Sequence, residues 1–445
     1  MEQVNLGMIG GGTVGSGVWH HLHRNGALLE SRVGMKIRLS KIAVKALEEP
    51  RPYPIPAGLM TTDWTGVVND PRVQVVIELV GGTTLAKTMI LTALRLGKPV
   101  ITANKALLSA HGEELFEAAR RHGANLYYEA SVAGGIPIIK VMREGLVGNR
   151  ITHIYGIVNG TCNYILSRMK REHTEFAPTL MEAQKMGYAE ADPAMDVDGH
   201  DSLHKTGILA SLAHGFWVKP GAIFVEGIRA VTRSDIEFTE KLGHTIKLLG
   251  VVKVASGGPG STTTQSGGGA IQVSVYPALV PNTHVLASVN DVFNAIFVRG
   301  DVVGDTLFYG RGAGKDATAS AVLGDIADAA LDLKHSSKNR VPPFVPHQHG
   351  GGILPMEQAV SRYYLRLSVA DKPGTLAKIA AILAQRRIGI ASVIQPEGHE
   401  GGVVPLILMT HAAPNAAMKT ALQKIARAPV VKAPPVMLRV ESFDF

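Results

Sequence analysis

The sequence predicts an α/β protein: a doubly wound parallel-sheet domain first, then an α+β domain with a mixed sheet, and last a ferredoxin-like unit. Between Val4 and about Ala130, short apolar runs (VNLGMIG, KIRLSKIAV, VQVVIEL, KPVITA, ANLYYEA) alternate with amphipathic segments. That is the pattern of parallel strands buried on both faces by helices. From Gly134 to about Thr306 the apolar runs lengthen and alternate, as in ITHIYGIV, GAIQVSVYPAL and NAIFVRG, with helical stretches between them. A mixed sheet accounts for that spacing. Residues 361–445 read strand, helix, strand, strand, helix, strand: YYLRLSV, TLAKIAAILAQRR, ASVIQ, VVPLILMT, a helix through Lys424, and PVMLRVES. That order is the split βαβ plan.

A chain of 445 residues exceeds one ordinary core, and the length suggests about three domains. The boundaries read from the sequence are 1–132, with a return segment at about 307–333; 133–306; a linker at 334–360; and 361–445. His335 to Pro355 holds proline and glycine clusters and no hydrophobic period, hence the linker. The tract SGGPGSTTTQSGGG at 256–269 cannot bury a core and is expected to be a flexible loop between strands.

A hydrophobic content of 46% with 18% charged residues is that of a folded globular chain. The net charge is +8, yet the basic residues are dispersed, with no dense Lys/Arg tract. Anionic small ligands therefore suit it at least as well as nucleic acid, and no nucleic-acid partner is expected. The single cysteine, Cys162, allows no intrachain disulfide and no thiolate-rich metal site. Neither a signal peptide nor a run long enough to cross a bilayer is apparent, so a cytoplasmic protein without membrane attachment is the expectation.

After the first strand, Gly10-Gly11-Gly12-Thr13-Val14-Gly15 forms a G-x-G-x-x-G that opens a helix near Val14. Its glycines permit a tight turn and close backbone approach, and the helix N-terminus offers free N–H groups to a pyrophosphate. A plain strand–helix turn is the bland alternative, but the position at the start of a βαβ series favours a Rossmann-type dinucleotide site. At the tip of the second strand no acid is present to bind a ribose 2′-hydroxyl, and Lys45 stands there instead. A cation at that place favours NADP over NAD, with NAD still possible. Thr102, Asn104 and Lys105 of VITANKALL fall at the C-terminal end of a later strand, where open α/β sheets bind ligands. Lys105 there is a candidate to hold a substrate carboxylate or assist proton transfer; a surface lysine is the alternative.

The turn from Glu129 to Pro137, EASVAGGIP, has small residues and one acid. Converging carbonyls with Glu129 would suit a hard monovalent cation, and a simple domain-crossing turn is the alternative. Cys162 reads as a buried small residue, and His347 and His349 as solvated loop histidines.

Glu190 to Lys205, EADPAMDVDGHDSLHK, places five carboxylates ahead of a lysine. Asp201 and Lys205 fall four residues apart in DSLHKTGILASLAHG, whose apolar residues recur at helical spacing, so both share one helix face. The segment before it, with Pro193 and Gly199, reads as a loop. A lysine among acids in a partly desolvated place could move a proton. A surface salt bridge is the structural alternative.

Together GGGTVG, TANK, EASVAGGIP, GIVNGTCNYIL, GYAEADPAMDVDGHDSLHK, YGRGAGKDATASAV and DKPGTLAKIAAIL with GIASVIQ make the chain resemble the homoserine dehydrogenase family, in its monofunctional bacterial form with a C-terminal ACT domain. The resemblance spans nearly the whole chain. It implies NAD(P)H-dependent interconversion of L-aspartate 4-semialdehyde and L-homoserine on the route to threonine, methionine and isoleucine. By the same resemblance Gly10, Gly12, Thr13, Val14, Gly15, Lys45, Thr102, Lys105 and Gly312 hold the cofactor. Glu190 takes the substrate's α-ammonium group, with Asp196 and Lys105 also at the substrate, and Asp201, Lys205 and Lys105 carry the catalysis. Glu129, Val132, Gly134 and Ile136 correspond to a sodium site built mostly from main-chain oxygens. Residues 133–306 become the catalytic and dimerisation domain of a homodimer or homotetramer. The ACT domain implies allosteric control, with threonine as effector. An isolated four-stranded sheet leaves edges unpaired, so edge-to-edge pairing of ACT domains is expected, as is an active, desensitised dimer when the chain is cut after about Ser336. Two other readings stand beside this one: another amino-acid semialdehyde dehydrogenase, and a non-catalytic ACT-type sensor.

Overall fold

A computed structural model describes residues 2–255, 270–337, 340–347, 351–396 and 402–443. The expected flexible loop at 256–269 and His349 lie outside these residues. The chain forms two compact units. One comprises Met1–Ile154, His204–Ile223 and Phe293–Gly351, the other Tyr155–Leu203, Phe224–Val292 and Gly352–Phe445.

The first unit is built on six parallel strands: β1 (Gln3–Ile9), β2 (Lys36–Ala43), β3 (Met60–Thr61), β4 (Val75–Glu78), β5 (Val100–Thr102) and β6 (Leu126–Tyr127), in the order β3-β2-β1-β4-β5-β6. Leu6, Met8, Val75, Ile77 and Ile101 have no exposed surface, as continuous apolar strands between two helix layers require. The order reverses between β1 and β4, and the crevice beyond their carboxyl ends is where such sheets bind ligands. The helix Lys315–Lys334 returns to this sheet and packs on the helix Thr13–Val33. Contact is close at Gly17, where a Cβ would lie 2.7 Å from the Lys315 carbonyl oxygen.

Residues 340–347 differ from the linker expected there. Arg143 donates to the carbonyls of Val341 and Pro342, and the Tyr128 hydroxyl donates to that of Pro343. Phe344 joins Phe116 and Trp217 with ring centroids 5.7 and 5.4 Å away. A proline-rich strand has no internal hydrogen bonds and no period, so its sequence looks like a tether. Side chains far away in the sequence satisfy its carbonyls, and the segment becomes a strap on the first unit.

In the second unit the strands lie in the order His244–Val254, Ile271–Pro281, Val436–Val440, Val360–Ala370, Val403–Thr410, Ile390–Ile394. The last four form the expected ferredoxin-like sheet. Its helices Thr375–Ala384 and Asn415–Ala426 bury Ile379, Leu383, Met418 and Ile425 against Leu365, Leu367, Leu406 and Leu408. Expected free edges are found on one side only. The strand Val436–Val440 pairs in parallel with Ile271–Pro281, matching Ala278 to Arg439 and Leu279 to Val440. Tyr276 and Lys253 both donate to Glu441, which is 1% exposed. Within this unit the two sheets are therefore one, which the sequence of either part could not reveal. A further tie comes from residues of the expected linker: Ile271 N–H donates to the Gly352 carbonyl and Leu354 N–H to that of Ile271.

Candidate active site

The glycine motif divides its labour by position. Gly10 has φ +106°, and a Cβ there would sit 2.5 Å from the Leu79 carbonyl oxygen; a Cβ on Gly15 would sit 2.0 Å from that of Gly10. Only glycine closes this turn. Around a Cβ placed on Gly12, by contrast, nothing lies within 4 Å. The helix Thr13–Val33 that follows has no side-chain cap. Its first amide groups and the open space at Gly12 fit a pyrophosphate. Thr13 is exposed and Val14 half-buried at the same turn.

Lys45 is exposed two residues beyond the end of β2. The loop after it is drawn together by Arg51, whose guanidinium donates to the carbonyls of Ala46, Leu47 and Glu49. Further on, Tyr53 stacks on His20 at 4.0 Å, and Lys315 lies over the Tyr53 ring at 4.3 Å. Sequence reading missed Arg51 and Tyr53, because neither belongs to a motif and Tyr53 meets Lys315 only across about 260 residues of chain.

At the ends of β4 and β5, one buried acid organises the backbone. Glu78 has no exposed surface; its carboxylate accepts from the Val80 and Gly81 amides at 2.8 and 3.0 Å and from the Thr102 hydroxyl at 2.7 Å. The Thr102 hydroxyl in turn accepts from Asn104 N–H. Asn104 caps the next helix through Leu107 N–H and donates to the Gly82 carbonyl. Lys105, half-buried, is the first residue of that helix. Sequence reading passed over Glu78; an acid ending an otherwise apolar strand was the available signal.

Glu129 is buried, and its two carboxylate oxygens accept from the amides of Ile139 and Lys140 at 2.9 and 2.7 Å. Burial pushes its pKa up to about 7. Its own N–H donates to Asp325, a second buried acid whose pKa burial also raises. The turn after it contains Val132, which is fully buried, Ala133 at φ 55° and Gly134 at φ 30°; the Ile136 carbonyl accepts from Ile138 N–H. Gly134 packs on the Gly312 carbonyl, at 2.8 Å from a would-be Cβ. Gly312 itself has no room for a side chain, since its Cβ would fall 1.8 Å from Asn294.

In the second unit, the Asn159 side-chain amide donates to both Asp196, at 2.7 Å, and Asp201, at 2.8 Å. The same residue caps the helix Gly160–Glu172. Asn159 stands in GIVNGTCNYIL, whose local pattern gives no sign of the two acids it meets. Asp196 belongs to a single helical turn, Ala194–Val197, where the sequence suggested only loop. Glu190 is exposed, its main-chain carbonyl accepting from Gln184. Cys162 is buried, as expected, and its thiol donates to the Asp196 carbonyl at 3.2 Å. Asp201 and Lys205 lie one turn apart on the helix His200–His214 and are only 5% and 6% exposed. Burial of both removes the surface salt bridge as an account of them.

A parallel sheet with a glycine turn at its switch point, followed by a buried carboxylate–lysine helix and a ferredoxin-like regulatory unit, defines a dinucleotide-dependent oxidoreductase. Comparison with known proteins gives the family. Models described as "Homoserine dehydrogenase, NAD binding domain", "Homoserine dehydrogenase" and "ACT domain" match residues 10–129, 137–327 and 363–427. The homoserine dehydrogenase of Pseudomonas aeruginosa is 42% identical over 453 aligned residues, covering 100% of both chains. A crystal structure of a homoserine dehydrogenase from Thiobacillus denitrificans superimposes with a TM-score of 0.91 at 40% identity, covering 99% of each chain. A hyperthermophilic archaeal homoserine dehydrogenase in complex with NADPH has a TM-score of 0.60 at 25% identity, over 74% of this chain and 98% of that one. The chain belongs to the homoserine dehydrogenase family. Its reaction is the NAD(P)-dependent interconversion of L-aspartate 4-semialdehyde and L-homoserine, and neither the non-catalytic ACT-type sensor nor a different semialdehyde enzyme is favoured. Among the described residues no helix is long and apolar enough to cross a membrane.

Proposed function

We propose that Lys205 is the proton donor to the aldehyde oxygen in the reductive direction and that Asp201, one helical turn earlier, orients it. The observation that carries this is the pair itself: opposite charges at i and i+4, both withdrawn from water on one helix. The bound nicotinamide cofactor supplies the hydride in reduction and accepts it in oxidation. An alkoxide developing at the substrate carbon needs a nearby cation that can also give up a proton, and an ammonium does both. Asn159 keeps Asp201 and Asp196 in fixed relation by donating to each. Glu190 and Asp196 present negative charge to the substrate ammonium, and Lys105 offsets the substrate carboxylate or shares the proton step. The cofactor lies along Gly10, Gly12, Thr13, Val14 and Gly15, with Thr102 and Gly312 also contributing. Glu190→Gln is expected to raise the KM for aspartate semialdehyde severalfold and leave that for the cofactor unchanged. Unchanged KM values for both would make Glu190 structural.

NADPH is the preferred cofactor, supported by the exposed Lys45 beyond β2 and by the relative solved with NADPH. A monovalent cation, sodium, is assigned to Glu129 with main-chain oxygens of Val132, Gly134 and Ile136. The observation supporting it is a second buried acid, Asp325, bonded to the Glu129 main-chain N–H, since a cation nearby would favour the ionised form of both acids. Steady-state assays with NADPH and NADH, in sodium and in choline buffers, check both. Higher kcat/KM with NADPH and higher activity in sodium are expected. Equal efficiency with NADH removes Lys45 as a discriminator, and indifference to sodium removes the cation.

The enzyme works as a homodimer or homotetramer in the cytoplasm, in the biosynthesis of threonine, methionine and isoleucine, and threonine is its effector. Support for an amino-acid effector is the concavity lined by Asp371, Lys372, Gly374, Thr375 and Gln395 at the start of the helix Thr375–Ala384. Threonine is expected to inhibit full-length enzyme without competing with the semialdehyde, and Asp371→Ala to weaken that inhibition. Competition at the active site, or full sensitivity in the variant, would place the effector elsewhere.

A further inference from the structure

We infer that Arg439, in the last strand of the ferredoxin-like sheet, is a positioning residue for Asp196, one of the acids assigned to the substrate. Arg439 has no exposed surface. Its guanidinium lies between the rings of Phe224, at 4.9 Å, and Tyr276, at 4.6 Å. It donates to the Glu226 carboxylate at 2.5 Å and to the Asn415 side-chain oxygen at 3.3 Å. Among the described residues, Nε meets no acceptor. A buried cation met by one carboxylate is weak evidence for stability, because an apolar residue of similar volume often serves as well. What the pair does supply is a fixed place for Glu226.

That place matters because of what Glu226 leads into. Its N–H donates to the Val275 carbonyl, and two residues on Ile228 N–H donates to the Val197 carbonyl at 2.8 Å. Between them Gly227 lies so close that a Cβ would be 2.2 Å from the Val197 oxygen and 2.5 Å from the Asp198 Cα. Arg229 then grips the Asp198 carboxylate with two bonds. Residues 226–229 are thus the seat of Val197 and Asp198, and these are flanked by Asp196 and Asp201, the acids joined through Asn159. At the other end, Arg439 is paired with Tyr363 on the strand Val360–Ala370, which runs directly into the Asp371–Gly374 turn. One strand therefore reaches the effector concavity and carries the neighbour of Arg439.

The inference rests on the assignment of Asp196 to the substrate. Arg439→Met, Glu226→Gln, the double variant and Arg439→Lys test it, with Asp196→Asn in parallel. The expected result is a rise in semialdehyde KM on the order of tenfold in Arg439→Met and Glu226→Gln, an unchanged cofactor KM, no further rise in the double variant, and partial recovery with lysine. A merely structural role would lower the melting temperature without separating the two KM values. Folded variants with wild-type semialdehyde KM, or effects that add in the double variant, overturn the inference. Glu226→Gln keeps an acceptor for the buried guanidinium and carries the test alone if Arg439→Met does not fold. A raised KM in Asp196→Asn beside unchanged values in the others defeats only the role of Arg439; a wild-type KM in Asp196→Asn defeats the assignment and the inference with it.

Discussion

Replacing Lys205 with alanine is expected to lower turnover by about a hundredfold or more while cofactor affinity is retained, the usual worth of a general acid. Because the ammonium acts on charge that develops only in the transition state, kcat and kcat/KM should fall together. Asp201, 5% exposed, keeps its bond from Asn159 in the variant, so the helix is not left with a wholly unpartnered buried charge. Lys205→Arg retains the positive charge but donates a proton far less readily, and turnover should stay low. Near wild-type turnover of the alanine variant, measured on protein of unchanged melting temperature, removes Lys205 from the mechanism.

A chain ending after Ser336 is expected to be recovered poorly and to melt at a lower temperature than the full-length protein. The sequence suggested the opposite, a detachable regulatory module. In the structure, the cut removes the strand beside Ile271–Pro281, uncovering buried Tyr276, Ala278 and Leu279 along an unpaired edge. Tyr276 and Lys253 lose Glu441, and Phe116 and Trp217 lose Phe344 of the strap. Burying one large apolar side chain contributes roughly 1.5–3 kcal/mol, so several uncovered together approach the stability of an ordinary domain. An exposed edge adds a route to aggregation. Recovery of a soluble, active enzyme with an unchanged melting temperature would refute this, and for the same reason point substitutions at Asp371 test effector control more cleanly than truncation.

What could be read in advance was what depends on neighbours in the chain. The glycine turn at 10–15, the ferredoxin-like order of the C-terminal region and the Asp201–Lys205 spacing are local patterns, and each is present as expected. The residues that were missed act across long separations. Glu78 meets Thr102, Asn159 meets Asp196 and Asp201, and Arg439 meets Glu226, and none of these pairs shares a motif. The proline-rich strap was misread for a related reason: its order comes from donors on Tyr128 and Arg143, not from any period of its own.

The strand Val436–Val440 finds its partner, Ala278–Leu279, about 160 residues earlier in the chain, a contact of the non-local kind that slows folding. During synthesis the second unit therefore waits. Strand Ile271–Pro281 emerges with its side toward residues 278 and 279 unpaired and remains so until Val436–Val440 has been made. For that interval the nascent chain presents an apolar edge, and a chaperone that shields extended segments would have its longest task there. Completion of the ferredoxin-like sheet and completion of the second unit are therefore a single event, so synthesis that stops before Val436–Val440 leaves both unfinished.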